Sequence, residues 1–195
     1  NLPAVALTDN GNMHGGVDFF KAAVKKNIKP IIGCELYLAP FSRFEKKKIA
    51  GCSNSYPLIL LAKNEKGYRN LCKLSSLGYT EGFYYRPRID KELLEKYAEG
   101  LICLSGPAKG KISQWILKEK EDELREEILW FKDLFQDDFY LEIQRHLMTE
   151  ESLKKDRMKL ESWVYQYYEE TVQNQATIIK KTVDLSEDYQ LPSVT

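Results

Sequence analysis

The sequence predicts an α/β fold, a parallel sheet or barrel with helices outside, and two observations carry that prediction. Short apolar runs, each too brief for a helix and bounded by turn or charged residues, recur along the chain. Between them lie stretches with helical apolar spacing, and strands that alternate with helices build parallel sheets. Such folds keep their chemistry at the C-terminal ends of the strands. The residues to read are therefore Thr8–Asn10, Glu35–Leu38, Lys63, Ser105–Pro107 and Gln144–His146.

In chain order, Val5–Leu7 is the first predicted strand, and "LTDNGNMHGG" (7–16) turns it into a helix over 15–27. Val17-Phe20-Val24 and Phe19-Ala22-Ala23 fit one face of that helix, and "KKNIKP" closes it in lysines, an Asn and a Pro. Ile31–Leu38 is the second strand, whose alternation places Ile31, Gly33, Glu35 and Tyr37 on one side. A buried Glu35 must pair, hydrogen-bond or take up a proton, which predicts a Lys, Arg or hydroxyl partner. "SRFEKKKIAGCSNS" (42–55) reads as a basic surface loop exposed to solvent.

Leu58–Leu61 is a strand and 65–77 a helix; 90–98 is a second helix with Asp90 as its N-cap, followed by the strand Leu101–Leu104. "EGFYYRPRID" (81–90) interleaves three aromatics with Arg86 and Arg88, a pattern that suits single-stranded nucleic acid and ordinary packing with Arg–carboxylate bridges equally well. "SGPAKGKI" lacks the Gly-Lys-Ser/Thr ending of a nucleotide-binding loop and is a turn. A helix over 111–135, a strand at Tyr140–Ile143, a long helix near 150–184 and a strand at Leu191–Val194 complete the pass.

The 29 basic residues balance the 29 acidic ones, so no global field draws the chain to nucleic acid. The four cysteines form no CxxC pair, and Cys34, Cys72 and Cys103 sit in apolar surroundings that suit reduced core thiols. No apolar run approaches the roughly 20 residues of a membrane span. The chain therefore reads as soluble and cytoplasmic, with no membrane partner. It begins at Asn1 almost directly on a strand and ends in "QLPSVT", so both ends read as cut inside a fold.

Three segments together resemble one family: "ALTDNGNMHGGVDFFKAAVKKNIKPIIGCELYLAP", "LILLAKNEKGYRNLCKLSSLGYTEGFYYRPRIDKELLEKYAEGLICLSG" and "DDFYLEIQRH". They resemble the PHP (polymerase and histidinol phosphatase) domain at the N-terminus of bacterial DNA polymerase III alpha subunits. The helix "ESWVYQYYEETVQNQATIIKKT" is similar to the chlamydial-type version. The resemblance implies a distorted (β/α)7 barrel, here incomplete because its first strand and the end of its last fall outside the chain. Residues 1–195 are then a partial PHP domain, with 148–195 a long helix leading to a final strand.

Family members hold up to three Zn or Mn ions at the strand ends, which support phosphoester hydrolysis described as 3′–5′ exonuclease proofreading. The domain is also implied to brace the polymerase core and dock the separate proofreading exonuclease subunit of the replicase holoenzyme. The parent is a DNA-directed DNA polymerase that uses Mg and reaches DNA through its other domains. The carboxylates for polymerisation are absent from this chain, so the fragment alone is expected to be inactive.

Carried onto these residues, the family's metal site is degenerate. Its strand-end His falls on Asn10, a second His on Pro57 and a Cys on Pro107, while its Glu is retained as Glu35. The other ligands would precede Asn1 or follow Thr195. Glu35 is thus a remnant ligand position, expected to be unoccupied, and no cofactor is expected in this fragment. Asp9 and His146 are candidates for supporting roles. Asp9, Glu35 and Asp18 offer a loose Mg²⁺ site, against which stands the commoner role of Asp9 in capping its turn. His14 reads as a helix-start histidine rather than a replacement ligand. Two rivals follow: a residual metal-dependent phosphoesterase or 3′–5′ exonuclease, and a docking module, which predicts an exposed apolar patch on the helical exterior.

Overall fold

The computed structural model describes residues 2–145, 151 and 162–195, the side chains of 162–165 excepted. Seven strands, β1 (Ala4–Asn10), β2 (Lys29–Leu38), β3 (Tyr56–Ala62), β4 (Arg88–Ile89), β5 (Leu101–Leu104), β6 (Phe139–Glu142) and β7 (Ser193–Val194), form one sheet. Its order is β1-β2-β3-β5-β6-β7, with β4 paired to the end of β2. The described helices are α1 (Gly16–Lys25), α2 (Glu65–Thr80), α3 (Lys91–Tyr97), α4 (Lys111–Leu117), α5 (Glu121–Phe135) and α6 (Ser162–Asp188). No described helix is long and apolar enough to cross a membrane.

The sheet is mixed, not the all-parallel one that the alternation predicts. β3 runs antiparallel to both β2 and β5, while β1–β2, β2–β4, β5–β6 and β6–β7 are parallel. Parallel neighbours need a crossover, usually a helix, and residues 39–55 between β2 and β3 contain none. The chain therefore returns down the sheet directly, which brings the start of β3 to the same rim as the ends of its neighbours.

Leu36, Leu60, Leu71, Leu74, Ile89, Leu94, Phe131 and Phe139 fill the core between sheet and helices. Phe131 stacks on Phe139 at 5.2 Å and on Phe135 at 6.3 Å, so α5 is seated by aromatic contacts. The region expected as one helix over 111–135 is two, broken at Glu119, whose φ is +54°. Ile112, Ile116, Leu124 and Ile128 recur at helical spacing, but an unbroken helix would put Lys120 in that apolar stripe. Ahead of α5, Lys120 pairs with Glu123 at 2.8 Å instead of lying in the stripe.

α1 also differs from expectation. Only Ala23 and Gly16 are buried, while Val17, Phe20 and Val24 are each about half exposed. The apolar stripe of α1 thus faces outward. Beside it, Val17, Phe20, Pro30, Ile32, Ala62 and Tyr68 line a groove of about 560 Å³. Cys34 and Cys103 are buried thiols as expected, whereas Cys72 is only half-buried. Burial pushes the Cys34 thiol up to about 12, so it stays protonated and faces the carbonyls of Asp9 and Asn12 at 3.3 Å.

Candidate functional site

The reversed β3 assembles the site. Register places Asn10 opposite Glu35, Glu35 opposite Ile59, and Tyr37 opposite Pro57. Gly106, at φ +88°, lets the chain after β5 pass so close that a Cβ there would lie 2.5 Å from the Pro57 carbonyl oxygen. Pro107 follows at once. Asn10, Glu35, Pro57 and Pro107 therefore share one rim, around a cleft of about 800 Å³ that Glu35, Tyr37, Pro57, Arg86, Pro107 and Gln144 help to line.

Asp9 does what its turn position predicts: its carboxylate accepts the Gly15 amide at 3.0 Å, just ahead of α1. Asn10 is exposed at the strand end, and its carbonyl accepts from Asn12 Nδ2 at 3.0 Å. His14 is exposed at the start of the helix. His146 lies outside the described residues.

Glu35 has the hydroxyl partner that its half-buried position demands. Tyr37, two residues on and so on the same side of β2, brings its phenol beside the Glu35 carboxylate. The Arg86 guanidinium in turn stands 4.6 Å from the centre of the Tyr37 ring. Burial, and next the charge on Glu35, hold the Tyr37 phenol above its usual range, so it remains a donor.

Glu142, at the end of β6, is a second carboxylate of this rim. Its Oε1 accepts from Gln144 Nε2 at 2.6 Å; its Oε2 is buried without a donor in good geometry, and the Gly106 amide only partly offsets that burial. Desolvation first, and then the charge on Glu35, push the Glu142 carboxyl up. Folding therefore binds this proton more tightly than the unfolded chain does. Its stabilising contribution is whole below the ordinary pKa of 4.5 and is lost as pH rises through the folded value. Glu142→Gln, which keeps an acceptor for Gln144 and removes the repulsion, is expected to raise the urea midpoint at pH 7 and leave it unchanged near pH 4. An unaltered or lower midpoint at pH 7 would contradict this account.

Sequence reasoning placed Tyr37 and Gln144 only within strand-end stretches and Arg86 in the aromatic and basic segment 81–90, and it gave none of them, nor Glu142, a role beside Glu35. Alternation along β2 already put Tyr37 beside Glu35, and Glu142 stands four residues before His146 in the same strand-end segment. Arg86 was beyond reach, because nothing local says that the segment after α2 folds back over β2.

The PHP domain profile matches residues 1–146. The chain belongs to the PHP domain family. Among relatives, the DNA polymerase III subunit alpha of Chlamydia pneumoniae is 50% identical over 193 residues, 99% of this chain and 15% of the relative. That of Borreliella burgdorferi is 53% identical over 158 residues, 81% of this chain and 14% of the relative. The Thermus aquaticus protein is 43% identical over 166 residues, covering 85% and 13%. This PHP domain thus spans about one seventh of the length of the relatives it matches. The chlamydial match runs over almost the whole chain, including the region of α6.

The residues of this PHP domain do not fit the metal cluster that the resemblance implies. Two of the matched positions are prolines without a side-chain donor, Asn10 offers only a neutral amide, and Glu35 is engaged by Tyr37. Among the described residues, no three His, Cys, Asp or Glu side chains come together in a way that could hold a metal ion.

The segment 81–90 resolves mostly toward packing. Arg88 is 1% exposed and donates to backbone carbonyls rather than carboxylates, and Arg86 covers Tyr37. The loop 42–55 is likewise not all solvated: Lys46–Lys48 are exposed, but Arg43 is buried and its Nη1 lies 2.9 Å from Asp90.

Proposed function

We propose that this chain is the PHP region of a replicative DNA polymerase III alpha subunit, acting as scaffold and docking surface rather than as a phosphoesterase. The observation that carries the proposal is the rim itself, where Pro57 and Pro107, without side-chain donors, share the cleft with Glu35 and the Tyr37 phenol lies beside its carboxylate. A phosphoesterase centre needs convergent donors with a position left open for water, and two prolines beside a single carboxylate do not supply them. The parent would carry out templated nucleotidyl transfer in the cytoplasm with Mg, on residues outside this chain. The mixed sheet is then part of the family's (β/α)7 barrel, completed by further chain of the longer polymerase.

The outward apolar stripe of α1 and its groove support the docking role, since contiguous exposed apolar surface marks an interaction site. The rest of the alpha subunit and the proofreading exonuclease subunit are the proposed partners. Isothermal titration with Mn²⁺ and with Zn²⁺ tests the reading. No micromolar binding is expected for the wild-type chain or for Glu35→Ala. Micromolar binding that disappears in Glu35→Ala would establish a working site and overturn the proposal in favour of a residual phosphoesterase or 3′–5′ exonuclease.

A further inference from the structure

Two segments that stand out separately in the sequence, the loop 42–55 and the stretch 81–90, meet in the fold. Arg43 of the first and Glu81 at the start of the second pair at 2.7 Å. Around this pair three aromatic rings open to solvent: Phe44 is 58% exposed, Phe83 48% and Tyr79 47%. The Arg43 guanidinium lies 4.2 Å from the centre of the Phe44 ring, and Tyr79 stacks with Phe83 at 6.2 Å with 22° between the planes. None of the three rings lines the cleft at the strand ends.

Four cations, Arg43 and Lys46–Lys48, stand against four carboxylates, Glu45, Glu81, Asp90 and Glu92, so the surroundings of the rings are balanced overall and the positive excess is local to the lysine side. Lys46, Lys47 and Lys48 follow Phe44 and are all exposed. Lys47 is held by Glu45 at 2.9 Å, whereas Lys46 and Lys48 have no ion pair among the described residues. Of the acids, Glu45 pairs with Lys47, while Glu81, Asp90 and Glu92 all converge on Arg43. Exposed large apolar side chains within 41–48 and 79–85 are all aromatic. Exposed ring faces beside the unpaired Lys46 and Lys48 are a chemistry that binds single strands, bases stacking on the rings while ammonium groups meet phosphates.

We propose that this patch binds single-stranded DNA, with bases stacked on Phe44 and on the Tyr79–Phe83 pair and backbone phosphates at Lys46 and Lys48. The site is independent of the strand-end cleft and of any metal there. Fluorescence anisotropy of a labelled oligo-dT strand with the 195-residue chain, at low and at raised NaCl, tests it. The double substitution Phe44→Ala/Phe83→Ala is expected to weaken binding at least about tenfold, because each lost stack is worth roughly 1–3 kcal/mol. Phe44→Trp/Phe83→Trp, which keeps both ring faces, should bind at least as well as wild type. Lys46→Ala/Lys48→Ala should lower the log–log salt slope by about 1.4. Lys109→Ala, at the cleft, should change nothing. The proposal is overturned by absence of binding at low salt, by alanine variants that bind like wild type, or by tryptophan variants that fall as far as alanine ones. A Lys109→Ala loss as large as that of the ring variants would also overturn it, by placing the strand in the cleft.

Discussion

Arg88→Met is expected to destabilise the chain by about 4 kcal/mol, seen as a fall in the urea midpoint with an unchanged slope. The Arg88 side chain is fully buried, and its guanidinium donates to the carbonyls of Gly82 at 3.1 Å, Asn54 at 3.2 Å, Arg43 at 3.2 Å and Glu45 at 3.1 Å. Those acceptors come from both ends of the 42–55 loop and from the turn after α2, so one side chain ties three stretches of backbone together. Burying the charge has a cost, and burial indeed lowers the guanidinium's pKa from its ordinary value. Methionine would remove that cost, but it would leave four carbonyls inside with no donor, at roughly 1–3 kcal/mol each before relaxation. The orphaned carbonyls win. Arg88→Lys keeps the charge but not the planar fork, and a single ammonium cannot span acceptors so widely spread; about half the loss is expected. A midpoint within error of wild type for Arg88→Met would show that these carbonyls find other donors.

Much of this fold was legible in short apolar runs, and the reason is visible at β2 and β5. Ile31–Leu38 and Leu101–Leu104 are bounded by residues that strands do not continue through, and both lie in the core where pattern and burial agree. The alternation that put Glu35 and Tyr37 on one side of β2 holds in the structure, which is why the hydroxyl partner of Glu35 was foreseeable. What stayed hidden depends on contacts between distant segments. Two residues, Arg88 and Ile89, form β4 only because β2 offers them an edge, and no local propensity marks so short a strand. Arg43 read as part of a solvated loop, and Arg88 as a contact for nucleic acid or for a carboxylate; their burial requires Asp90 in one case and four converging carbonyls in the other. The α1 stripe has the spacing of a core face yet points outward, since periodicity reports that a helix has an apolar side and not what covers it.

Asp90→Ala is expected to cost about 4–5 kcal/mol, because one carboxylate serves two structures at once. As the N-cap of α3 it accepts the Leu93 amide at 3.2 Å, a contact worth about 1 kcal/mol. It also receives the Arg43 backbone amide at 2.9 Å and the Arg43 Nη1 at 2.9 and 3.0 Å, with Asp90 only 3% and Arg43 only 6% exposed. Removing one member of a buried pair strands the other, typically at 3–5 kcal/mol. Glu81 and Glu92 still reach Arg43, at 2.7 and 3.1 Å, so the guanidinium keeps some compensation and the loss should sit toward the lower end of that range. The pairing and capping parts are separable. Asp90→Asn preserves the cap and removes the charge, while Arg43→Met removes the guanidinium and leaves Asp90 buried. If the pair is the main term, the double variant Arg43→Met/Asp90→Asn loses less than the sum of the single losses by more than about 1 kcal/mol in equilibrium unfolding. Additive losses would mean that Arg43 and Asp90 act through separate neighbours, and that the 42–55 loop is held to α3 by something other than this ion pair.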